Sequence, residues 1–309
     1  MQTTVRTNVR FEGTGLHSGE PAQVVVRPAP ADHGIWFRRV DVEPADGFIP
    51  ASWEAVQKSP LCTLIANEAG VSVSTIEHLM AALAGCGVHN ALIEIDGPEV
   101  PAMDGSSALF VQGILKAGLT RLSAPLTAIE VLKPVEVRAG DAYARLEPEN
   151  HLWIDFSIDF EDAAIGHQEK SLDLANGTFV HELCDSRTFC RQADVDTMQA
   201  NGLALGGAPG KNAVVFDGDQ VMSPGGLRHA DEPVRHKMLD ALGDLALAGR
   251  PLLARYTGVR AGHAMTNGLL RALFADPTAY RVVTCDDRLA EHMPGVGVSQ
   301  ADLATVALQ

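Results

Sequence analysis

V-R-H-K-M-L-D-A-L-G-D-L-A-L, running from Val234 to Leu247, organises the reading of this chain. Val234, Met238, Leu239, Ala241, Leu242, Leu245 and Ala246 recur at helical spacing, which predicts a helix with one broad apolar face turned to a core. On the other face His236 and Asp240 stand about one turn apart, so an imidazole and a carboxylate project side by side. Gly243 in the same row is expected to leave space above them. A pair at this spacing is more often a solvated ion pair than half of a metal site, so the reading depends on ligands supplied elsewhere.

S-T-I-E-H-L-M-A-A-L-A-G, from Ser74 to Gly85, supplies His78. Two imidazoles and one carboxylate leave a tetrahedral Zn²⁺ with one open position, the pattern of a catalytic rather than a structural site. Glu77 lies about 100° around the helix from His78, too far to be an obvious ligand but able to reach a water in the open position. It has a second reading: Ser74-x-x-Glu77 is a capping box, in which the glutamate only satisfies a backbone donor. The two readings carry equal weight on residues alone.

I-E-H-L-M-A-A-L-A-G, S-R-T-F, V-R-H-K-M-L-D-A-L-G-D-L and A-G-H-A-M-T-N, in this order, resemble the UDP-3-O-acyl-N-acetylglucosamine deacetylases, zinc amidases that commit precursors to lipid A. The resemblance extends from G-T-G-L-H-S-G, near residue 15, to the region of Leu270. It implies one zinc ion on His78, His236 and Asp240, with Glu77 as general base. His263 is then the cationic residue that stabilises the oxyanion and serves as acid, and Asp244 holds it charged. Thr188 can donate its hydroxyl to the oxyanion. The resemblance also brings Cys62 and His17 near the site and makes Phe160 and Phe189 lining or stacking residues.

Lys237, about 100° from His236 around the helix, should point to the side of the metal, toward substrate diphosphate or glucosamine. Arg260 and Arg235 flank the site motifs and are the other candidate cations. Arg191 is a departure, because relatives often place an apolar residue there against a fatty chain. An unpaired guanidinium in an apolar passage is costly, so Arg191 should either reach water or find a carboxylate such as Asp194.

The 39 acidic against 24 basic residues give a net charge of −15, which argues against a nucleic-acid partner and against acidic membranes. No apolar run is long enough to span a bilayer and M-Q-T-T-V-R-T-N-V-R has no signal-peptide core. Five cysteines without a C-x-x-C pair suit a reducing compartment. A cytoplasmic monomer is expected, with UDP-3-O-acyl-N-acetylglucosamine as the substrate that the resemblance implies.

Strands predicted between Thr3 and Ile65, a helix from Thr75, a strand Asn90 to Ile95 and a helix to Ala117 make a first unit, and periodicity is lost at T-R-L-S-A-P-L-T. After it the pattern repeats: strands from Ala128 to Asp159, a histidine-bearing helix ending in A-G, a strand Pro251 to Arg260 and another helix. The expected fold is α+β, two two-layer sandwiches of like topology, residues 1–125 and 126–309, with the metal at their interface. An insert at about 186–216 breaks the repeat, and the resemblance makes it the wall of an acyl passage. Its G-G-A-P-G-K-N is not a phosphate loop, since Asn212 stands where Ser or Thr would hold Mg²⁺. Two rivals stay open: a zinc amidase for another N-acetylated sugar, and a non-catalytic zinc-stabilised module that binds a nucleotide sugar.

Overall fold

Alternating burial, as in Pro21–Pro28, where Ala22, Val24 and Val26 point inward, makes strands of much of the chain in the computed structural model, which describes residues 1–306. The N-terminal half runs β1 Thr3–Val5, β2 Val9–Thr14, β3 Pro21–Pro28, β4 Ile35–Arg39, β5 Phe48–Pro50, β6 Val56–Gln57, β7 Leu64–Ala66, β8 Ser72–Val73, α1 Glu77–Gly85, β9 Ala91–Ile95, α2 Ala108–Ala117 and β10 Leu119–Arg121. The rest runs β11 Thr127–Val131, β12 Val135–Ala139, β13 Ala142–Pro148, β14 Trp153–Asp159, β15 His167–Asp173, β16 Phe189–Arg191, α3 Gln192–Ala200, β17 Val214–Asp217, β18 Gln220–Val221, α4 Glu232–Leu245, β19 Leu252–Val259, α5 His263–Ala275 and β20 Tyr280–Thr284, followed by short helical turns.

The two halves share one strand plan. The first sheet is ordered β2-β3-β9-β4-β5, with β9 antiparallel to β3 and parallel to β4. In the second, β19 is likewise antiparallel to β13 and parallel to β14, β12 pairs β13 and β15 pairs β14. Even the edges correspond: β1 pairs β10 and touches the start of β9 through Thr4 and Asn90, as β11 pairs β20 and the start of β19. The stretch where periodicity is lost, T-R-L-S, thus begins inside a strand, Leu119–Arg121, too short and polar for its pattern to register. It is formed by pairing with the N-terminus.

Helices α1 and α4 lie against each other between the sheets, flanked by α2 and α5 respectively, within one contiguous apolar core. Helix α4 is enclosed on nearly every side; only Arg235 and Lys237 are partly exposed. The expected apolar stripe is therefore one part of a fully packed helix, and its polar row is buried too. Gly243 does not open space above His236 and Asp240. A methyl there would collide with the backbone carbonyl of Glu77, so the glycine lets the two helices meet and sets Glu77 beside His236 and Asp240. No described helix is long and apolar enough to cross a membrane.

Candidate metal centre and active site

The close approach at Gly243 brings His78 of α1 to His236 and Asp240 of α4, with one ligand atom from each within 4.8 Å of the others. Asp240 Oδ1 is 3.3 Å from His236 Nε2 and 3.5 Å from His78 Nε2. A tetrahedral ion with bonds of about 2.0–2.1 Å sets its ligand atoms about 3.4 Å apart. Asp240 Oδ1 is buried without a hydrogen-bond partner, which is costly unless something else faces it. His236 Nδ1 sits 3.0 Å from the Ser186 carbonyl, an acceptor that puts the ring proton on Nδ1 and leaves Nε2 a free lone pair aimed at the cluster. The residues fit a divalent cation with N and O ligands.

Charge supports that fit. Burial pushes His236 down to about 4, and the Asp240 carboxylate opposes this only in part, so the ring is neutral, as a ligand must be. For Asp240, burial works against ionisation but is outweighed by His236, Lys237, His78 and His263, which hold it well below the usual carboxylate range. Lys237 Nζ lies 2.6 Å from Asp240 Oδ2, so its ammonium pairs with the oxygen that does not face His78 and His236, the oxygen that His263 Nε2 also approaches at 3.9 Å.

Glu77 stands at the first turn of α1 but does not cap it. Ser74 donates its hydroxyl to the Pro98 carbonyl, and Glu77 Oε2 instead accepts the N–H of Thr63 at 3.1 Å. Burial pushes its carboxyl up, against the charges of His263 and His78. Glu77 Oε1 faces His263 Nε2 at 3.7 Å, and His263 Nδ1 is 2.8 Å from Asp244 Oδ2. Burial would lower the His263 imidazole, but Asp244 and then Glu77 outweigh it and raise it to about 9. Thr63 also donates its hydroxyl to Asp244 Oδ1, joining the two carboxylates through one residue.

These groups open into a cavity of about 500 Å³ lined by Glu77, His78, His236, Asp240, His263, Lys237, His17 and Thr188. Its far wall is the insert, with Phe160 and Phe189 packed edge to face at 5.6 Å and Phe189 resting on the His236 ring. Burial lowers His17 despite the nearby Glu99 charge, and its Nδ1 is buried without a partner. Arg191 lines the same cavity and finds its carboxylate, but in Asp162, 2.5 Å away, rather than in Asp194.

Two of the expected residues do not line the cavity. Arg260 pairs with exposed Asp159 at 2.8 Å and is outside the cavity lining. Cys62 is buried against Ser59, outside the lining as well, its thiol pushed up to about 11 by burial and the Glu77 charge. Its neighbour Thr63 makes the contacts in that segment. Thr63 carried no spacing signal, and neither did the buried Arg187–Glu232 pair that anchors S-R-T-F to the start of α4. Arg235 pairs with Glu182 and Asp231. Asn212, in the failed phosphate loop, bonds back to Gly206 and Ala208.

Comparison with known proteins gives one family. The family model described as UDP-3-O-acyl N-acetylglycosamine deacetylase matches residues 2–275. A protein of Phenylobacterium zucineum (strain HLK1) is 50% identical over 94% of this chain and 99% of its own length. One from Idiomarina loihiensis is 44% identical over 94% of each chain, and one from Shewanella frigidimarina is 42% identical over 92% of this chain and 93% of its own. All three bear the name UDP-3-O-acyl-N-acetylglucosamine deacetylase.

Proposed function

Because this chain belongs to the UDP-3-O-acyl N-acetylglycosamine deacetylase family, the deacetylases of lipid A biosynthesis, we propose that it hydrolyses the N-acetyl amide of UDP-3-O-acyl-N-acetylglucosamine with one zinc ion held by His78, His236 and Asp240. The observation that carries the reading is the pairing of Glu77 Oε1 with His263 Nε2 at 3.7 Å beside the three ligands. An acceptor and a donor of protons thus flank one small volume.

Zinc, when bound, supplies Lewis acidity that activates a water and polarises the acetyl carbonyl. Glu77 takes the proton of the attacking water at Oε1, and burial raises its affinity for that proton. Asp244 holds the Nδ1 proton of His263, so Nε2–H is the side that faces substrate. That N–H stabilises the developing oxyanion together with the Thr188 hydroxyl, then protonates the departing glucosamine nitrogen. The apolar and aromatic wall around Phe160 and Phe189 takes the acyl chain and keeps bulk water out.

The residues favour this over a non-catalytic zinc module. Among the described residues the cluster has three protein ligands, and a structural site would close with a fourth. We further propose that 1–125 and 126–309 are the two units, a division supported by their common strand order, and that the protein works as a cytoplasmic monomer, to which five unpaired cysteines are suited. Release of acetate from the UDP-sugar by purified protein, abolished by a chelator and restored by zinc, tests the activity. A chelated protein as active as the untreated one rejects the metal.

A further inference from the structure

One buried carboxylate outside the reaction centre ties together parts of the chain that the cavity needs in register. Glu99 follows β9 and is almost wholly enclosed. Its Oε1 accepts the backbone N–H of His17 at 2.8 Å and the Thr75 hydroxyl at 2.9 Å, and its Oε2 accepts the N–H of Ser18 at 2.8 Å. Burial works against its charge, but these donors outweigh it and hold the carboxyl below its ordinary range. Gly15 leaves the room, since a methyl there would run into the carboxylate.

Both ends of this clamp reach the cavity. Thr75 immediately precedes Ile76 and Glu77 and has φ of +56°, a conformation costly for a β-branched residue and held only where surrounding contacts impose it. On the other side, the turn held by Glu99 receives the insert: the N–H of Leu205 donates to the His17 carbonyl and that of Gly206 to the Leu16 carbonyl, each at 3.1 Å. Gly206 permits the contact, because a methyl there would strike the Gly15 carbonyl. Leu16, His17, Ala204 and Gly207 on the two sides of this seam all line the cavity.

We propose that Glu99 is a positioning residue for substrate, whose carboxylate, through the 15–19 turn, sets where the insert wall stands relative to the start of α1. It touches neither substrate nor metal ligand. The proposal rests on the acylated-sugar reading above, and its consequence is specific: loosening the seam should weaken binding of the acyl chain while leaving the proton-transfer groups in place.

Glu99→Gln tests it, because the carboxamide keeps the shape but sets an N–H₂ against one of the N–H donors. The measurement is kcat and KM on a series of substrates of increasing acyl length, with zinc content alongside. The expected result is unchanged zinc, kcat within about twofold of the parent, and KM raised about tenfold for long chains with a shallower length dependence, the scale of one ordinary hydrogen bond lost from uniform binding. Gly206→Ala attacks the seam from the insert side and should reproduce the effect, and the double variant should be no worse than either alone. Unchanged KM and length dependence in Glu99→Gln overturns the proposal, as does equal loss of kcat for every chain length. A Glu99→Gln protein that does not fold leaves the decision to Gly206→Ala, whose normal KM would overturn it. A parent protein that releases no acetate from any chain length sinks the acylated-sugar reading instead.

Discussion

At the scale of single residues, the mechanism proposed above divides the proton work between Glu77 and His263 by environment. Glu77 is pushed up by burial, while His263 is raised to about 9 because Asp244 and Glu77 overcome its burial. Glu77→Gln is expected to keep zinc and fold but lose about 10²-fold or more in kcat, the usual scale for a missing general base; near-parental kcat in a zinc-loaded variant would refute the assignment. The sign of the pH dependence follows from His263 acting in its protonated form. Activity should fall on the alkaline side as pH rises through about 9, and fall again on the acid side where Glu77, pushed up by burial, is already protonated and cannot act as base. Asp244→Asn removes the largest charge that raises His263, so the alkaline limb should move toward lower pH. A limb at the same pH in both proteins, read from kcat profiles, would show that another group sets it.

At the scale of elements, the pairing of α1 with α4 decides the site, and Gly243 decides the pairing. Gly243→Ala drives a methyl into the Glu77 carbonyl, a backbone atom with no rotamer to yield. It should cost about 1–3 kcal/mol, the range for overpacking a filled core, and depress kcat with it; denaturant melts and turnover on one preparation check both. The start of α4 depends on Glu232, which takes three hydrogen bonds from Arg187 and one from the Arg228 N–H while almost fully buried. Glu232→Ala strands a buried guanidinium and should destabilise by about 3–5 kcal/mol, seen as a lower denaturation midpoint. These elements were unequally legible in the sequence. His236, Asp240 and the packed face of α4 could be read because helical spacing is a local signal, and His78 because its helix is strongly apolar. Thr63, Glu99 and Asp162 could not, since each acts from a loop or short strand on a partner far along the chain. Gly243 was visible as a glycine, but whether it opened space or closed it depended on the second helix.

At the scale of the whole molecule, the residues proposed to hold the metal come from both halves: His78 from the first, His236 and Asp240 from the second. The halves already share one core, and residues beyond β20 add a strap in which Met293 packs on Leu126, Ala128 and Leu253 while Gln112 of α2 reaches the Val306 carbonyl. A metal between α1 and α4 therefore adds to a contact that exists without it, and its removal should lower stability without separating the halves. Any ion that binds only the folded chain stabilises it by mass action, about 4 kcal/mol at a free concentration of 1,000 Kd. At about 2–4 °C per kcal/mol for a large domain, chelation from that condition should lower Tm by roughly 8–16 °C. His78→Ala should melt near the chelated parent and respond little to chelator, because the site is already broken. The comparison also separates the staple from the chemistry: Glu77→Gln, which keeps all three ligands, should retain the full chelation shift while lacking activity. A parent whose Tm ignores chelator, with zinc loss verified by elemental analysis, would mean that the core and strap alone fix the two halves and that the metal serves only the reaction.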